Sequence, residues 1–363
     1  MVWHHRRNSI RLYWKQQKGY GKAEALLEEK WPEKYNRAGH LTWAGRVYGQ
    51  GLTTSLLSGR WRIYYGTWGT APFQSIYAPA SGLLPSLPLM PEWYFVIAGL
   101  AGLSVTGLAW PPLLAFLPVL GVALALPVLT AIISTRLAPF PTSPLSRRQT
   151  TMRVATTALL HLVQPLARLI GRLHHGLTPW RRRGTARLAL PMSHETSFWE
   201  ESWKSSEQRL EQLMQKLRAK GAVVRHGGNH DRWDLDIRGG LLGSRRLLVT
   251  IEEHGAGRQL IRLHAWPRPT VMAAMMVGAP SVLAIAALLH GATLALAVLG
   301  TAALAAAAWA LMDCAFAAGA LRDAVRDADG KRLEVKTSAM RASFKDAIVQ
   351  QPDKVGSTRL AAD

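Results

Sequence analysis

Two long stretches without a charged residue constrain the fold of this chain more than any other feature. Trp93–Thr135 and Val271–Met312 contain no Asp, Glu, Lys or Arg. One membrane-crossing helix needs about 20 apolar residues, so each stretch has room for two. Pro111-Pro112 and His290-Gly291 supply the breaks between them. The pattern excludes a wholly soluble protein. It predicts a mainly α membrane protein with four transmembrane helices in two hairpins, at 93–109, 113–134, 271–289 and 292–312.

The remaining segments differ in charge and divide the chain into six parts. The predicted boundaries are 1–84 (the end of a preceding domain, with interfacial helices), 85–136 (first hairpin), 137–194 (a basic juxtamembrane segment), 195–268 (a small cytoplasmic α+β insert), 269–313 (second hairpin) and 314–363 (a polar tail).

Charge and cysteine content narrow the class of protein further. Lys and Arg number 44 against 23 Asp and Glu, a formal charge of +21. The basic residues follow membrane-adjacent segments and carry no recognisable nucleic-acid motif, so anionic membrane lipids are the expected partner and nucleic acid is not. The hairpin tips carry no Lys or Arg, which predicts a multi-pass protein of the bacterial inner (plasma) membrane with both termini cytoplasmic. The single cysteine, Cys314, excludes a disulfide framework and a Cys-built zinc site.

A helix capped near Asn8-Ser9 is predicted to run to about Lys30, where Trp31-Pro32 stops it. An aromatic stripe lies beside a basic stripe at helical spacing, which is typical of an interfacial helix. A surface helix packed on another domain is the alternative. Gly19 and Gly21 weaken the helix interior and predict a break or a close backbone approach.

A second helical pattern covers 151–175. Its polar residues share one helical face, and the uncharged run between Arg153 and Arg168 is too short to span a bilayer. An amphipathic helix on the membrane surface is therefore expected. The polar face consists of His161, Gln164, Arg168, Arg172 and His175.

The 195–268 insert holds ten of the 23 acidic residues of the chain. Ser197 and Glu200 have the spacing of a capping box, which predicts a helix from there to Lys220. Short strands are expected after it, separated by glycine turns. Their predicted positions are 222–225, 233–237, 246–251 and 259–266.

The most specific run of the chain is Val2-Trp3-His4-His5-Arg6-Arg7-Asn8-Ser9, followed by Tyr13-Trp14-Lys15-Gln16-Gln17-Lys18-Gly19-Tyr20-Gly21-Lys22-Ala23-Glu24. It resembles the segment that closes the catalytic domain of family 2 glycosyltransferases (GT-A type), especially membrane-bound bacterial members. The resemblance covers residues 2–35 and implies sugar transfer from a nucleotide-sugar donor to a lipid-linked or cell-envelope acceptor, with inversion.

The resemblance also implies roles for individual residues. His4, or His5 in another strand register, would complete the coordination of a divalent metal, Mg or Mn, that bridges the donor diphosphate. Arg6 and Arg7 would face that diphosphate. The residues expected to line the donor or acceptor side are Gln16, Gln17, Tyr20 and Gly21.

The family pattern also shows what these residues lack. Its nucleotide-binding unit, metal-binding Asp-x-Asp and catalytic base precede the matched run, so the chain is expected to be a fragment that is inactive alone or pairs with a separate catalytic chain. Asp234-Leu235-Asp236 and Asp327-Ala328-Asp329 spell Asp-x-Asp in the wrong places, and no catalytic residue is named. The alternative is a non-enzymatic membrane scaffold that binds a partner protein through the 195–268 insert.

Overall fold

A computed structural model describes residues 9–40, 87–136, 146–184, 187–228 and 230–329. The described chain is mainly helical and contains one five-stranded antiparallel sheet. By their contacts the described helices form two groups, and the sheet lies against the end of the last helix. One group contains Ile10–Lys30, Trp93–Thr106, Phe116–Arg136 and Arg147–His174, and the other contains Val271–Leu289 and Thr293–Asp329.

The N-terminal helix α1 spans Ile10–Lys30. The Ser9 hydroxyl caps it by accepting a hydrogen bond from Leu12 N at 3.3 Å. It ends at Trp31, and a short 3-10 turn follows at Pro32–Lys34, because proline cannot continue the helix ladder. The predicted cap and end of this helix are confirmed.

Four helical segments in the described residues are long and apolar enough to cross a membrane: Pro111–Arg136, Arg147–His174, Val271–Leu289 and Thr293–Arg326. This is consistent with a membrane protein. The helices are α2 (Trp93–Thr106), α3 (Phe116–Arg136, after a 3-10 turn at Pro111–Ala115), α4 (Arg147–His174), α6 (Val271–Leu289) and α7 (Thr293–Asp329).

The set of candidates differs from the prediction at two helices. α2 is apolar but has only 14 residues, so it is shorter than each of the four candidate membrane-spanning helices. α4 is one of those four by length and composition, whereas the sequence predicted a segment too short to span. The sequence count covered only the uncharged run, whereas this helix continues well beyond both arginines that bound it. Its location on the membrane surface stays a prediction.

The turns of the two apolar helix pairs meet. Trp110 lies between α2 and α3, and its indole N–H donates to His290 Nδ1, in the turn between α6 and α7, at 3.1 Å. Leu113, Ala287 and Leu299 pack around this contact. The two pairs therefore share one apolar cluster at this end of the molecule.

The sheet has the strand order β1-β5-β4-β3-β2. Its elements are β1 (His194–Glu200), the helix α5 (Ser206–Ala219), β2 (Val223–His226), β3 (Leu235–Arg238), β4 (Gly243–Glu253) and β5 (Gln259–Pro269). The four predicted strands are present. The predicted capping box is wrong: Ser197 and Glu200 lie in β1, and Ser205 with Gln208 forms the box that starts α5.

One face of the sheet packs on α5 and on the last turns of α7. Leu235, Ile237 and Leu247 are fully buried there against Leu217 of α5 and Ala324 of α7. The small side chains of α7 let the sheet approach closely. The helix that begins at an apolar turn thus ends as part of the core of the sheet domain.

Candidate functional site: a buried ionic joint

α1 and α4 cross at two glycines. Gly21 and Gly171 face each other, and a Cβ on Gly21 would lie 2.9 Å from Arg172 N and 3.0 Å from Gly171 Cα. A Cβ on Gly171 would be only 3.1 Å from Gly21 Cα. Side chains other than glycine would push the helices apart, since carbon atoms need about 3.5–4.0 Å. The predicted close backbone approach near Gly21 is confirmed.

The close approach allows polar side chains to pair across the crossing. Arg168 Nε donates to Gln17 Oε1 at 3.0 Å, and Arg172 Nε lies 2.9 Å from Glu24 Oε2. Arg168 Nη1 is 3.8 Å from the other oxygen of Glu24. Glu24, Arg168 and Arg172 are all buried, with at most 4 % of each residue exposed. The two arginines and the acid supply one another with opposite charge inside the protein, where an unpaired ion would be strongly destabilising.

Arg172 also joins this crossing to the start of α2. Its Nη1 pairs with the Glu92 carboxylate, and its Nη2 donates to the carbonyl of Gly39 at 2.7 Å. His40 Nε2 lies 2.8 Å from the second oxygen of Glu92. Burial would raise the pKa of Glu92, but the hydrogen bond and charge of His40, with the charge of Arg172, outweigh it and bring the pKa to about 2.

A second acid of α1 holds the segment after α4. Glu28, which is 1 % exposed, receives Arg181 Nε at 3.0 Å on one oxygen and Arg183 on the other. Arg181 Nη2 also donates to the carbonyl of Arg37 at 3.2 Å. Burial lowers the pKa of Arg181, while the Glu28 charge opposes that change. Glu28 therefore fixes the chain that leads from α4 toward the sheet.

A third acid links this layer to α7. Asp313 is fully buried, accepts a hydrogen bond from Leu242 N at 2.9 Å and pairs with Arg182 Nε at 3.1 Å. The turn between β3 and β4 presses on the same point, since side chains on Gly239 or Gly240 would collide with Asp313. One carboxylate thus fixes both the sheet and the segment after α4 to the end of the apolar run.

We call these contacts the ionic joint. It is defined by four acids, Glu24, Glu28, Glu92 and Asp313, and by the cations that pair with them. Because buried ion pairs contribute more to a specific geometry than to net stability, the joint is expected to fix orientation. It joins α1, the start of α2, the end of α4 and the sheet domain.

The joint changes the interpretation of the predicted polar face of α4. Gln164, Arg168 and Arg172 are buried against α1 and its neighbours. Gln164 accepts a hydrogen bond from Tyr13 at 3.3 Å. The prediction that this face is turned to lipid headgroups is wrong for these three residues, because the acids of α1 compensate their charge and polarity inside the protein.

The structure separates the predicted site residues. Gln17 and Gly21 are buried in the crossing with α4 and cannot also line an open donor site. Gln16 and Tyr20 lie at the edge of the crossing, where Gln16 Nε2 donates to the Tyr20 hydroxyl at 2.7 Å and the Arg168 guanidinium carbon lies 5.4 Å from the centre of the Tyr20 ring. The remaining four predicted residues, His4, His5, Arg6 and Arg7, lie outside the described residues.

Among the described residues, no group of three or more His, Cys, Asp or Glu side chains has a geometry that could hold a metal ion. Asp234 accepts a hydrogen bond from Val249 N at 2.7 Å, and Asp236 faces arginines. The first Asp-x-Asp sequence is thus engaged in structural contacts, as expected from its position in the chain. The assignment of His4 or His5 to a metal stays a prediction.

Sequence reasoning missed the acids of the joint. Glu24 and Glu28 lie four residues apart in a segment with a large excess of basic residues, so they occupy one helical face. Asp313 is the first charged residue after an uncharged run. Isolated acids in such positions could have predicted these ion pairs, since a lone carboxylate at the end of an apolar helix needs a partner.

Comparisons of the chain with models of protein families, with curated proteins and with solved structures found no match. The function of the protein must therefore be inferred from its residues and from the geometry of the ionic joint.

Proposed function

We propose that this chain is the membrane portion of a family 2 glycosyltransferase that transfers a sugar from a nucleotide donor to a lipid-linked or envelope acceptor. One observation carries the proposal. The run that resembles the family, in α1, supplies Gln17, Gly21 and Glu24 to the crossing with α4. This run therefore anchors the chain before Ser9 to the apolar helices, and that role explains its spacing.

The opposite side of α1 supports the same role. Arg11, Lys15 and Lys22 are exposed there. A basic face next to a fixed anchor suits contact with a negatively charged donor domain, donor phosphate or lipid surface. The proposal keeps His4 or His5 as the ligand of a divalent Mg or Mn ion, with Arg6 and Arg7 toward the diphosphate.

The proposed membrane arrangement has two hairpins, α2–α3 and α6–α7, in the bacterial inner membrane with both termini cytoplasmic. α4 would lie along the headgroup level. Its Leu162 carbonyl accepts a hydrogen bond from Tyr94, near the beginning of α2, at 2.6 Å. α4 therefore contacts the end of that hairpin where Glu92 marks the start of charged sequence.

The proposal is tested in membranes of the native host, with an affinity tag on the C-terminus of the protein. We expect the tagged material, as one polypeptide or with a separate catalytic chain, to transfer label from a set of radiolabelled nucleotide sugars to lipid or envelope polymer. Glu24→Gln should lower this transfer at least about ten-fold, because it removes the charge that holds Arg168 and Arg172. Glu29→Gln, on the exposed side of the same helix, is the matched control.

Absence of sugar transfer from tagged membranes, together with an unchanged glycolipid and envelope-polymer profile after gene deletion, would rule the proposal out. If transfer is present, His4→Ala and His5→Ala test the metal assignment separately. Full activity in the double variant would remove both histidines from the metal site.

A scaffold is the second candidate function, and the exposed edge of the sheet favours it. β1 pairs with β5 on one side, and Trp199 and Trp203 at this edge are 59 % and 57 % exposed. Exposed tryptophans beside an edge strand are typical of a protein-binding surface. Under this alternative, deletion of the gene would leave glycans unchanged, and Trp199→Ser would release a bound protein partner.

A further inference from the structure

Four arginines surround one carboxylate on the face of the sheet that points away from α5 and α7. Arg37 Nη2 lies 3.7 Å and Arg268 Nη1 lies 3.9 Å from Asp236 Oδ2. Arg225 on β2 and Arg246 on β4 are the direct cross-strand neighbours of Asp236. We call these five residues the arginine cluster. Four arginines and one aspartate give the arginine cluster a net charge of +3.

Arg225 and Arg246 each lie opposite Asp236 across the strands, which is a favourable arrangement, but one carboxylate cannot neutralise four arginines. Burial lowers the pKa of Arg37, and the charges of Arg268 and Arg225 lower it further although Asp236 acts in the opposite direction. Within the part of the chain that the structure describes, buried Arg246 Nε has no hydrogen-bond acceptor and buried Asp236 Oδ1 has no donor. The cluster therefore keeps both an unused donor and an unused acceptor beside its excess positive charge.

The guanidinium groups are held in place by an aromatic ring. Trp233 is only 3 % exposed, and the Arg225 and Arg246 guanidinium carbons lie 5.0 and 4.6 Å from its ring centroid. Cation–π contacts of this kind orient arginine without neutralising its charge. The cluster is thus arranged before any ligand binds, which lowers the entropy cost of binding.

The cluster lies level with the ends of the apolar helices. Arg268 stands just before α6, whose first residue is Val271. Arg37 Nη1 donates to the carbonyls of Gly240 and Gly243 at 3.0 and 3.1 Å. That turn rests on Asp313, the first charged residue after the apolar run of α7. With α6 and α7 across the membrane, the start of α6 and the end of the apolar run of α7 both place the cluster at the level of the lipid phosphates.

We propose that the arginine cluster binds the phosphate of an anionic lipid headgroup, with Arg246 and Arg268 as its main donors and Asp236 accepting from a headgroup hydroxyl. Arginine is suited to phosphate because its donors form a planar fork. A free phosphate ion shares this chemistry, but the position at the helix ends favours the lipid. The inference uses the membrane placement of α6 and α7 and does not depend on sugar transfer.

The test uses the full chain, purified in detergent and titrated with phosphatidylglycerol while native mass spectrometry counts bound lipid. Phosphatidylcholine is the uncharged reference lipid, and sodium phosphate is the soluble anion. We expect the double variant Arg246→Gln/Arg268→Gln to bind phosphatidylglycerol at least about ten-fold more weakly, since it loses the charged hydrogen bonds of both guanidinium groups to the phosphate. Arg262→Gln, on the same sheet face but paired with Glu252 at 2.8 Å, should bind as the parent does.

Two results would overturn the proposal. An equal loss in Arg262→Gln would show diffuse attraction to basic protein surface, and phosphate that competes fully at the same concentration as the lipid would show a soluble-anion site. Thermal unfolding in detergent checks the fold of each variant. If the double variant is unfolded, the single variant Arg268→Gln, whose side chain is 43 % exposed, should still weaken lipid binding about five-fold.

Discussion

The crossing of α1 and α4 gives a sharp prediction, because two glycines on the same helix have opposite surroundings. A Cβ added at Gly19 would have no atom within 4 Å, whereas a Cβ on Gly21 would meet the backbone of Arg168, Gly171 and Arg172. Alanine favours the helix over glycine by about 1 kcal/mol at either position. Only Gly21→Ala must also separate the two helices.

The size of the effect follows from that separation. The 2.9 Å and 3.0 Å approaches at Gly21 would have to lengthen to ordinary contact distance, and the 2.9 Å pair between Glu24 and Arg172 would lengthen with them. Overpacking of this kind costs about 1–3 kcal/mol before any ion pair is lost. We expect Gly19→Ala to raise the free energy of unfolding by up to about 1 kcal/mol and Gly21→Ala to lower it by about 1–3 kcal/mol.

The assay is thermal unfolding of the detergent-purified chain, with protease cleavage of α1 as a local measure. The difference between the two variants should be several degrees, and α1 should be cut faster only in Gly21→Ala. Equal stability of the two variants, with α1 equally protected, would show that the close crossing of α1 and α4 does not hold this part of the molecule.

Two further substitutions test the acids of the joint. The folded-state pKa of Glu92 is depressed to about 2, so the stabilisation that its charge provides is complete above pH 4.5 and is lost as the pH falls toward 2. The free energies of unfolding of the parent and Glu92→Gln should therefore differ by at most about 3 kcal/mol near pH 6. Thermal unfolding should show the two proteins converging in stability by about pH 2. An unchanged difference at the acid end of this range would contradict the assignment. Asp313→Ala leaves Leu242 N–H and Arg182 without their carboxylate and should cost about 3–5 kcal/mol, measured by the same method. Asp323→Ala removes a partly exposed carboxylate of α7 that accepts a hydrogen bond from Arg187 N at 3.4 Å and should cost less than about 1 kcal/mol, and similar losses in both would contradict the role of Asp313.

The sequence predicted features whose cause is local. Ser9 and Pro32 bound α1 through capping and through the missing proline N–H, and both effects act within one turn. Gly21 predicted a close approach of another backbone segment, because a glycine inside a helix usually has a packing reason. The strands of the sheet were recognisable because glycine turns separate them.

Features that depend on distant partners were not predictable in the same way. β1 was missed because its pairing with β5 joins residues far apart in sequence, while Ser197 and Glu200 match a local helix signal. Arg172 lies on a face that suits lipid phosphates equally well. Only the folded arrangement brings Glu24 and Glu92 to it, so the candidate site, unlike α1 itself, could not be read from spacing.

α7 is a single helix of 37 residues, Thr293–Asp329, which at 1.5 Å per residue is about 55 Å long. Its first turns meet the other apolar pair near Trp110, and its last turns form part of the core under the sheet. Because the helix is continuous from one end to the other, a tilt of its apolar half also rotates the sheet. With the apolar half of α7 in a membrane, a bilayer of different thickness would therefore tilt the sheet together with the helix.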